Sequence, residues 1–257
     1  MTAIHGKDTA VLIDEFDVTA YFNSAETSSS TDTAETTSFG ASTKSYIIGM
    51  SEGSFDLSGL FDDTSTTGSA AVIEGILTAA ATPVVTVHQN GNAIGEQSQI
   101  MRARASSYSI TSPISDVSSL SASFTASADS DTNQALPLAT NARQLTTFSS
   151  VSVSAMPIVN ASYRNVVQAA TSLGGMAALH VTANTGNGTN YTVKVQHSAD
   201  NSSWADLVAF TAFDDAVKAS EFKTMAAGTV NQYLRSSIIT TGGTSGAITF
   251  AVSFARF

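Results

Sequence analysis

The sequence predicts a mainly β protein. We expect an N-terminal β-sandwich or barrel with one short helix and one long loop, followed by a C-terminal antiparallel β-sandwich. Apolar and polar residues alternate along many short stretches, as at Phe55 and Leu57, which is typical of half-buried strands. Turn signals such as Asn90-Gly91 recur between these stretches. Clear helical periodicity occurs in residues 70–81.

Few residues are charged. At 257 residues the chain can form one large or two ordinary domains. Only 12% of its residues are charged, against about 25% in typical soluble proteins. The polar surface must therefore consist mostly of Ser, Thr, Asn and Gln. This composition suits β-structure, and it also suits a surface covered by identical neighbouring copies.

The acidic residues are concentrated in the N-terminal part. Residues 1–150 contain 16 acidic and five basic residues, whereas residues 151–257 contain five acidic and six basic residues. An acidic surface repels the phosphate backbone, which disfavours DNA binding through a basic groove. The acidity fits a conduit through which DNA slides, and it fits ordinary solubility charge equally well.

The predicted elements of the N-terminal part are strands and one helix. The helix is predicted over residues 70–81, with Ser69 as its N-cap, with Ile73 and Ile76 on one face, and with Pro83 ending it. The predicted strands cover residues 9–13, 17–22, 46–49, 54–61, 84–88, 98–112 and 117–128.

The segment 23–45 lies between two of these strands and is rich in Ser, Thr, Asp and Glu. Hairpin loops usually contain about two to five residues, so a loop of this length needs an explanation. Its composition cannot bury enough apolar surface to order the segment by itself. We therefore expect neighbouring copies of the chain to order this loop.

Composition and charge also change along the chain, which predicts a domain boundary. We expect a first domain at 1–135, a linker at 136–150 and a β-sandwich domain at 151–257, because turn signals recur between its strands. The strands predicted in the second domain cover residues 150–153, 166–169, 177–183, 190–197, 208–210, 232–240 and 247–254.

No combination of residues points to catalysis, a metal or a cofactor. The chain has no Cys, its four histidines are widely separated, and no serine lies in a G-x-S-x-G motif. Residues 129–133 open like a calcium loop, but Gln134 and Thr140 occupy positions where such a loop needs Gly and Glu. The apolar run 70–87 is interrupted by polar residues, so no membrane span is expected. Without a signal-peptide pattern, we expect no Sec export.

Residues 16–63 carry a resemblance to a known family. A strand leads into the Ser/Thr/Glu-rich loop, then Thr-Ser-Phe-Gly, Lys-Ser-Tyr-Ile-Ile-Gly, and the strand Gly-Ser-Phe-Asp-Leu-Ser-Gly-Leu-Phe-Asp. This order of elements resembles the major tail tube proteins of long-tailed, siphovirus-like bacteriophages. The resemblance covers roughly residues 1–135, and the second part resembles the immunoglobulin-like or jelly-roll accessory domains of phage virion proteins.

The resemblance implies a structural protein of the virion tail, not an enzyme. Copies would assemble in the host cytoplasm into hexameric rings that stack into a tube, with tape-measure, terminator and tip proteins as partners. DNA would pass through the tube without specific binding. The second domain would project outward as decoration.

Several residues are predicted to contact neighbouring copies. In the long loop Phe39 would be an apolar anchor and Lys44 a charge partner, and on a predicted strand Arg102 and Arg104 would pair with acidic loops. The full set predicted at the contacts between subunits or rings is Ser24, Glu26, Asp32, Glu35, Phe39, Lys44 and Tyr46.

The alternative is a glycan- or cell-surface-binding β-sandwich module that uses Trp204 and Tyr191. A capsid decoration or neck protein is a further alternative, close to the tail tube hypothesis. Trp204 is the single Trp of the chain, and burial in the core of the second domain is the simpler expectation for it.

Overall fold

The computed structural model describes residues 5–79, 82–127, 138–164 and 170–257. These residues form one α-helix and 17 strands, which confirms the predicted mainly β fold. The helix α1 covers Ser69–Ala79. The strands before residue 130 are β1 Ala10–Ile13, β2 Phe16–Asp17, β3 Phe22–Glu35, β4 Tyr46–Leu60, β5 Val84–His88, β6 Gln97–Thr111 and β7 Ser119–Ala126.

The later part of the chain contributes ten further strands. They are β8 Ala139–Gln144, β9 Ser150–Ser152, β10 Ile158–Val159, β11 Tyr163–Arg164, β12 Gly175–Asn184, β13 Thr189–Ser198, β14 Ala205–Ala209, β15 Ala219–Met225, β16 Tyr233–Thr241 and β17 Ala247–Arg256.

One large sheet connects both parts of the chain. Its strand order is β15-β12-β17-β8-β6-β5-β1-β2, and β9 pairs with β17. The strands β3, β4 and β7 extend this sheet from the C-terminal half of β6, in the order β3-β4-β7-β6. A second sheet has the order β10-β16-β13-β14, and β11 pairs with β16.

The described residues form three buried apolar clusters. The first, here the N-terminal core, lies between α1 and strands β1 and β4 to β7, and it contains Phe55, Leu57 and Phe124. The third, the C-terminal core, fills the sandwich between the two sheets of the later part and contains Tyr191. Period-2 alternation of the strands supplies these side chains, as the sequence predicts for Phe55 and Leu57.

The middle cluster joins the two parts, and we call it the seam. It consists of Val84, Ile100, Ala139, Ala142, Met176, Ala178, Phe222 and Ala255. Alternation along β12 directs Met176 and Ala178 into the seam, while Ala177 and Leu179 face the C-terminal core. Strand β12 is therefore buried on both faces.

The helix differs slightly from its prediction. It begins at Ser69, and residues 80 and 81 lie outside the described residues. Ser69 is the first helical residue, so the predicted N-cap is wrong. Its hydroxyl donates to the carbonyl of Leu60 at 2.8 Å and accepts from the N–H of Asp62 at 3.0 Å. The hydroxyl thereby attaches the start of the helix to the end of β4.

Several strand predictions need correction. The strand predicted at 17–22 is wrong, because β2 ends at Asp17 and a turn precedes β3. The strands predicted at 46–49 and 54–61 are one continuous strand, β4. Strands β10, β11 and β15 were not predicted, because their short or weakly alternating sequences lack a period-2 signal. The strand predicted at 166–169 lies outside the described residues.

The segment predicted as a linker at 136–150 contains β8. This strand pairs with β6 on one side and with β17 on the other, and Ala139, Ala142 and Gln144 are buried. Its short polar sequence resembles a linker because it is a bridging strand with few large apolar side chains. The division into domains at 1–135 and 151–257 stays a prediction.

Tyr191 provides a test of the C-terminal core. Its side chain is fully buried, its ring stacks on Phe213 at a centroid distance of 5.6 Å, and its hydroxyl accepts the Gly188 N–H at 2.6 Å. A side chain at Gly186 would collide with this hydroxyl, since an added Cβ would lie 2.3 Å from it. Only glycine therefore lets this loop approach Tyr191.

We expect Tyr191→Phe to lower the free energy of unfolding by about 1–3 kcal/mol, because the buried N–H of Gly188 loses its acceptor. Urea unfolding would measure the change. Tyr46→Phe, at an exposed tyrosine, is the control and should change stability by less than about 0.5 kcal/mol. Equal stability of both variants would contradict the role assigned to the hydroxyl.

Candidate functional site

A long hairpin dominates the N-terminal part. Strands β3 and β4 pair from Phe22↔Gly59 to Glu35↔Tyr46, and the loop between them contains only residues 36–45. The long loop predicted at 23–45 is therefore wrong for residues 23–35, which form a strand. Hydroxyl pairs across the hairpin accompany the backbone pairing, at Ser28–Ser54 (3.2 Å), Thr31–Ser51 (3.0 Å) and Thr36–Ser45 (3.1 Å).

The reason for this error is physical. Most of β3 is exposed on both faces, so it shows no apolar alternation from which a strand could be predicted. Its order comes from the backbone ladder with β4, and Ser and Thr are compatible with that ladder. A strand that is ordered mainly by backbone pairing gives no apolar alternation from which it could be predicted.

The sheet β3-β4-β7-β6 has two open edges. Within the described residues, β3 pairs with β4 alone, so its second edge is open along 14 residues. The C-terminal half of β6, from Ala103 to Thr111, pairs only with β7 in the described part of the chain. Folded proteins usually shorten or cover such edges, because an open edge pairs readily with another strand.

The two faces of this sheet differ in chemistry. One face carries Phe55, Leu57, Leu120 and Phe124, which are buried in the N-terminal core. The opposite face carries hydroxyls and acids. Its members, which alternate with the core residues in β3, β4 and β7, are Glu26, Ser28, Ser54, Asp56, Ser58, Ser121, Ser123 and Thr125.

Hydrogen bonds fix the acidic centre of this polar face. Glu26, Asp56 and Ser123 lie side by side on adjacent strands. The Asp56 carboxylate accepts the Ser123 hydroxyl at 2.5 Å and the Ser54 hydroxyl at 3.5 Å. Arg104 lies at the β6 edge of the same face, opposite Thr125, while Glu26 lies at the β3 edge. The face therefore has an acidic edge and a basic edge.

Exposed apolar side chains lie at both ends of this sheet. The distal part of the hairpin exposes Ile48 (80%) and Met50 (78%), and its loop exposes Phe39 completely. At the opposite end, the connection between β6 and β7 exposes Ile114 and Val117. A soluble chain rarely gathers apolar groups at two opposite ends without partners for them.

The structure locates the residues predicted to contact neighbouring copies. Those predicted on the hairpin lie on β3 (Ser24, Glu26, Asp32, Glu35), in its loop (Phe39, Lys44) and at the start of β4 (Tyr46).

Lys44, predicted as a charge partner for neighbouring copies, has an ion-pair partner within its own hairpin, and its contact with other copies stays a prediction. It pairs with Glu35 of the same hairpin, with Nζ and Oε2 3.0 Å apart, and this hydrogen bond lowers the pKa of Glu35. Arg102, grouped with Arg104 by the sequence, lies at the rim of the seam and donates to the Thr82 hydroxyl at 3.0 and 3.2 Å. Of the two arginines, Arg104 belongs to the polar face.

The described part of the chain contains no cluster of metal-ligating side chains. There, no group of three or more His, Asp or Glu side chains could hold a metal ion. His88, His180 and His197 lie on strands β5, β12 and β13, as predicted. The calcium-like segment at 129–133 lies outside the described residues. Among the described helices, none has the length and hydropathy of a membrane span.

The residues of the glycan-binding alternative do not form a shared surface. Tyr191 is buried in the C-terminal core, so its ring cannot contact a ligand. Trp204 is only half-buried, so its expected role as a core residue is wrong. The Arg235 guanidinium lies over the Trp204 ring, 4.0 Å from its centroid. A cation–π contact thus occupies one face of the ring on which a sugar would stack.

Comparisons with known proteins complete this description. No family model matches the sequence, and no curated protein matches it. The virion of a native gene transfer agent particle contains a chain with 16% identity and a TM-score of 0.42, over 49% of this chain and 96% of that one. The sheath–tube complex of the PVC extracellular contractile injection system has a chain with 15% identity and a TM-score of 0.40, over 49% and 88%.

A third similar structure spans nearly the whole chain. The SPP1 Dit protein, described as a hub adsorption apparatus of phages that infect Gram-positive bacteria, has 13% identity and a TM-score of 0.35, over 97% of this chain and 99% of that one. Similarities at these values do not by themselves establish a function.

The exposed apolar residues of the distal hairpin should be dispensable for folding of the isolated chain. We expect Ile48→Ser with Met50→Ser to change the free energy of unfolding by less than about 0.5 kcal/mol per site. Phe55→Ser, on the same strand but buried, is the control and should cost about 3 kcal/mol or more. Urea unfolding measured by circular dichroism would separate the two. A large loss in the Ile48/Met50 variant would mean that the monomer itself uses these side chains.

Proposed function

We propose that this chain is a major tail tube protein of a long-tailed, siphovirus-like bacteriophage, and that it is a structural protein rather than an enzyme. The observation that carries the proposal is the four-stranded sheet with two open edges and one acidic, hydroxyl-rich face. The resemblance in the sequence of residues 16–63 supports it independently.

The open edges suggest how a ring closes. In this proposal the free edge of β3 in one copy pairs with the C-terminal half of β6 in the next copy. Each copy has one edge of each kind, so the contact is head-to-tail and closes into a ring if the rotation per copy permits. Glu26 at one edge and Arg104 at the other supply complementary charges across the new pair.

The two faces of the sheet determine which side lines the hollow centre. The apolar face is covered by α1 and the N-terminal core, which leaves the polar face available. In this proposal the polar face points toward the lumen. Carboxylates such as Glu26 and Asp56 would give the lumen a negative potential that repels the phosphate backbone. DNA could then pass through without specific binding, as a conduit for ejection requires.

Stacking of rings would use the two apolar ends. The distal hairpin, with Phe39, Ile48 and Met50, would reach the adjacent ring and cover the end that exposes Ile114 and Val117. Burying these side chains would remove apolar area from water, which supplies the driving force for stacking. Of the residues predicted on the hairpin, those of its distal part would form this contact between rings: Asp32, Glu35, Phe39, Lys44 and Tyr46.

Other parts of the proposal come from the resemblance. The rings would be hexameric, assembled in the host cytoplasm and incorporated into the virion tail. The tape-measure protein and the terminator and tip proteins would be partners. Residues 151–257 would lie on the outside of the tube as decoration.

Removing the distal hairpin should separate stacking from folding. Replacing residues 31–51 by Asn-Gly keeps the register at Ser30↔Glu52 and closes it with a two-residue turn. We expect a folded chain that forms rings but no tubes, as seen by negative-stain electron microscopy. Tubes of normal length from this variant would contradict the proposed role of the hairpin.

A mixing experiment tests which end receives the hairpin. Ile114→Asp with Val117→Asp should also abolish tubes, because two buried charges oppose stacking. Each variant alone should stop at single rings, but the mixture should give paired rings, since each supplies the surface that the other lacks.

A chain that combines both changes is the control and should not pair with either variant. Sedimentation velocity would measure the paired species. Absence of pairs in the mixture, when both variants form rings, would contradict the proposed contact between the two ends.

A further inference from the structure

The seam between the two parts of the chain contains two buried histidines. His180 and His88 are each 1% exposed. His180 comes from β12 of the C-terminal part, and His88 comes from β5 of the N-terminal part. Around them the seam is apolar, with Ile100, Met176 and Ala178 among its members.

The hydrogen bonds of His180 identify one of its protonated nitrogens. Its Nδ1 lies 2.6 Å from the carbonyl oxygen of Asp14, and its Nε2 lies 2.7 Å from the hydroxyl oxygen of Thr86. A carbonyl can only accept, so Nδ1 carries a proton. Burial in an apolar site favours the neutral ring, in which Nε2 accepts from Thr86. A second proton at Nε2 would force the Thr86 hydroxyl to turn and accept, and it would place a charge inside the seam.

His88 is even less able to accept a charge. Among the described residues, neither of its ring nitrogens has a hydrogen-bond partner. Burial, together with the nearby His180, lowers the pKa of His88 to about 3. Burial likewise lowers the pKa of His180 to about 4, although its bond to Asp14 acts in the opposite direction.

Other polar and charged groups lie in or beside the seam. Ser98 of β6 bonds Ser253 of β17 at 3.1 Å, and neither hydroxyl titrates in the relevant range. Asp14 accepts the Val84 N–H and the Ser220 hydroxyl. The charged groups around the seam, Asp14, Glu15, Arg102 and Glu221, lie at its rim beside Thr82 and Phe222.

One strand connects the two sides of the seam and could act as its hinge. β8 pairs with β6 at Gln97↔Arg143 and with β17 at Ser253↔Gln144. These backbone bonds can persist while the apolar faces of β5 and β12 move apart, because those faces are joined by side chains only.

We propose that the seam is an acid-sensitive latch, which opens about β8 on mild acidification before either the N-terminal or the C-terminal core opens. In the closed state both histidines stay neutral, whereas in the open state each regains its ordinary pKa of about 6.5. The closed state is therefore fully stable above pH 6.5 and loses stability as the pH falls below that value.

The expected size follows from this linkage. At pH 5 each solvated histidine favours the open state by about 30-fold relative to pH 8, so two histidines favour it by up to about 1,000-fold. Burial raises the pKa of Asp14, which has the opposite sign and favours the closed state as the pH falls through the raised value. Asp14 therefore offsets part of the opening caused by the histidines.

Two adjacent alanines provide a matched pair of reporters. Ala178 faces the seam and Ala177 faces the C-terminal core, and both are fully buried on the same strand. The chain has no cysteine, so Ala178→Cys and Ala177→Cys each introduce a single thiol. Labelling rates of the full chain, divided by the rate of the same variant in urea at the same pH, measure opening at each site.

Between pH 8 and pH 5 we expect the normalised labelling rate of Ala178→Cys to rise about 100-fold or more, and that of Ala177→Cys to rise less than about 10-fold. Equal rises at the two sites would indicate global unfolding and would overturn the proposal. No rise at Ala178→Cys would also overturn it. This comparison needs no change to the histidines.

The histidines themselves are tested in the Ala178→Cys background. His180→Gln and His88→Leu should each reduce the rise by about 30-fold, since each removes one titrating group. If the labelling rate of both variants rose as much as that of Ala178→Cys alone, the pH response could not be assigned to the histidines. The measurement concerns the dispersed chain, so its result is independent of whether rings and tubes form.

Discussion

Backbone pairing along β6 is the constraint on which the rest of the structure depends. The first part of this strand pairs with β5 and β8, and from Ala103 onward it pairs with β7. Consecutive residues of one strand point to opposite faces, so Ile100 enters the seam while Met101 enters the N-terminal core. This single 15-residue strand therefore contributes to the N-terminal core, to the seam and to the polar sheet.

The hairpin illustrates how order can arise without a core. Strand β3 is almost entirely exposed and consists largely of Ser, Thr and acids, a composition that also occurs in disordered segments. The backbone ladder with β4 and a series of paired hydroxyls align it. A polar strand of this length needs no apolar face of its own, but within the described residues it leaves one edge open and an apolar tip exposed.

The seam combines two kinds of interaction with different roles. Apolar side chains such as Ile100, Met176 and Phe222 supply the burial that favours contact between the two parts. Apolar burial alone would let the two parts of the chain slide past each other. The bonds of His180 to Thr86 and to the Asp14 carbonyl require one alignment of the two parts. The same buried histidine that aligns the seam is also a group through which we propose that the seam responds to protons.

Local patterns were sufficient to predict the mainly β class, the helix α1, strand β5 and the alternation of Phe55 and Leu57, because each depends on local periodicity and short-range turn chemistry. They also predicted a contact role for Glu26 and Phe39, which the proposed assembly uses, but not for Ile48 or Met50. Three features became visible only in the assembled fold: residues 23–35 form a strand, β8 bridges the two parts, and Tyr191 is fully buried whereas Trp204 is half-buried. Those outcomes depend on partners distant in the chain, and local sequence patterns carry no record of which backbone a polar strand will pair with.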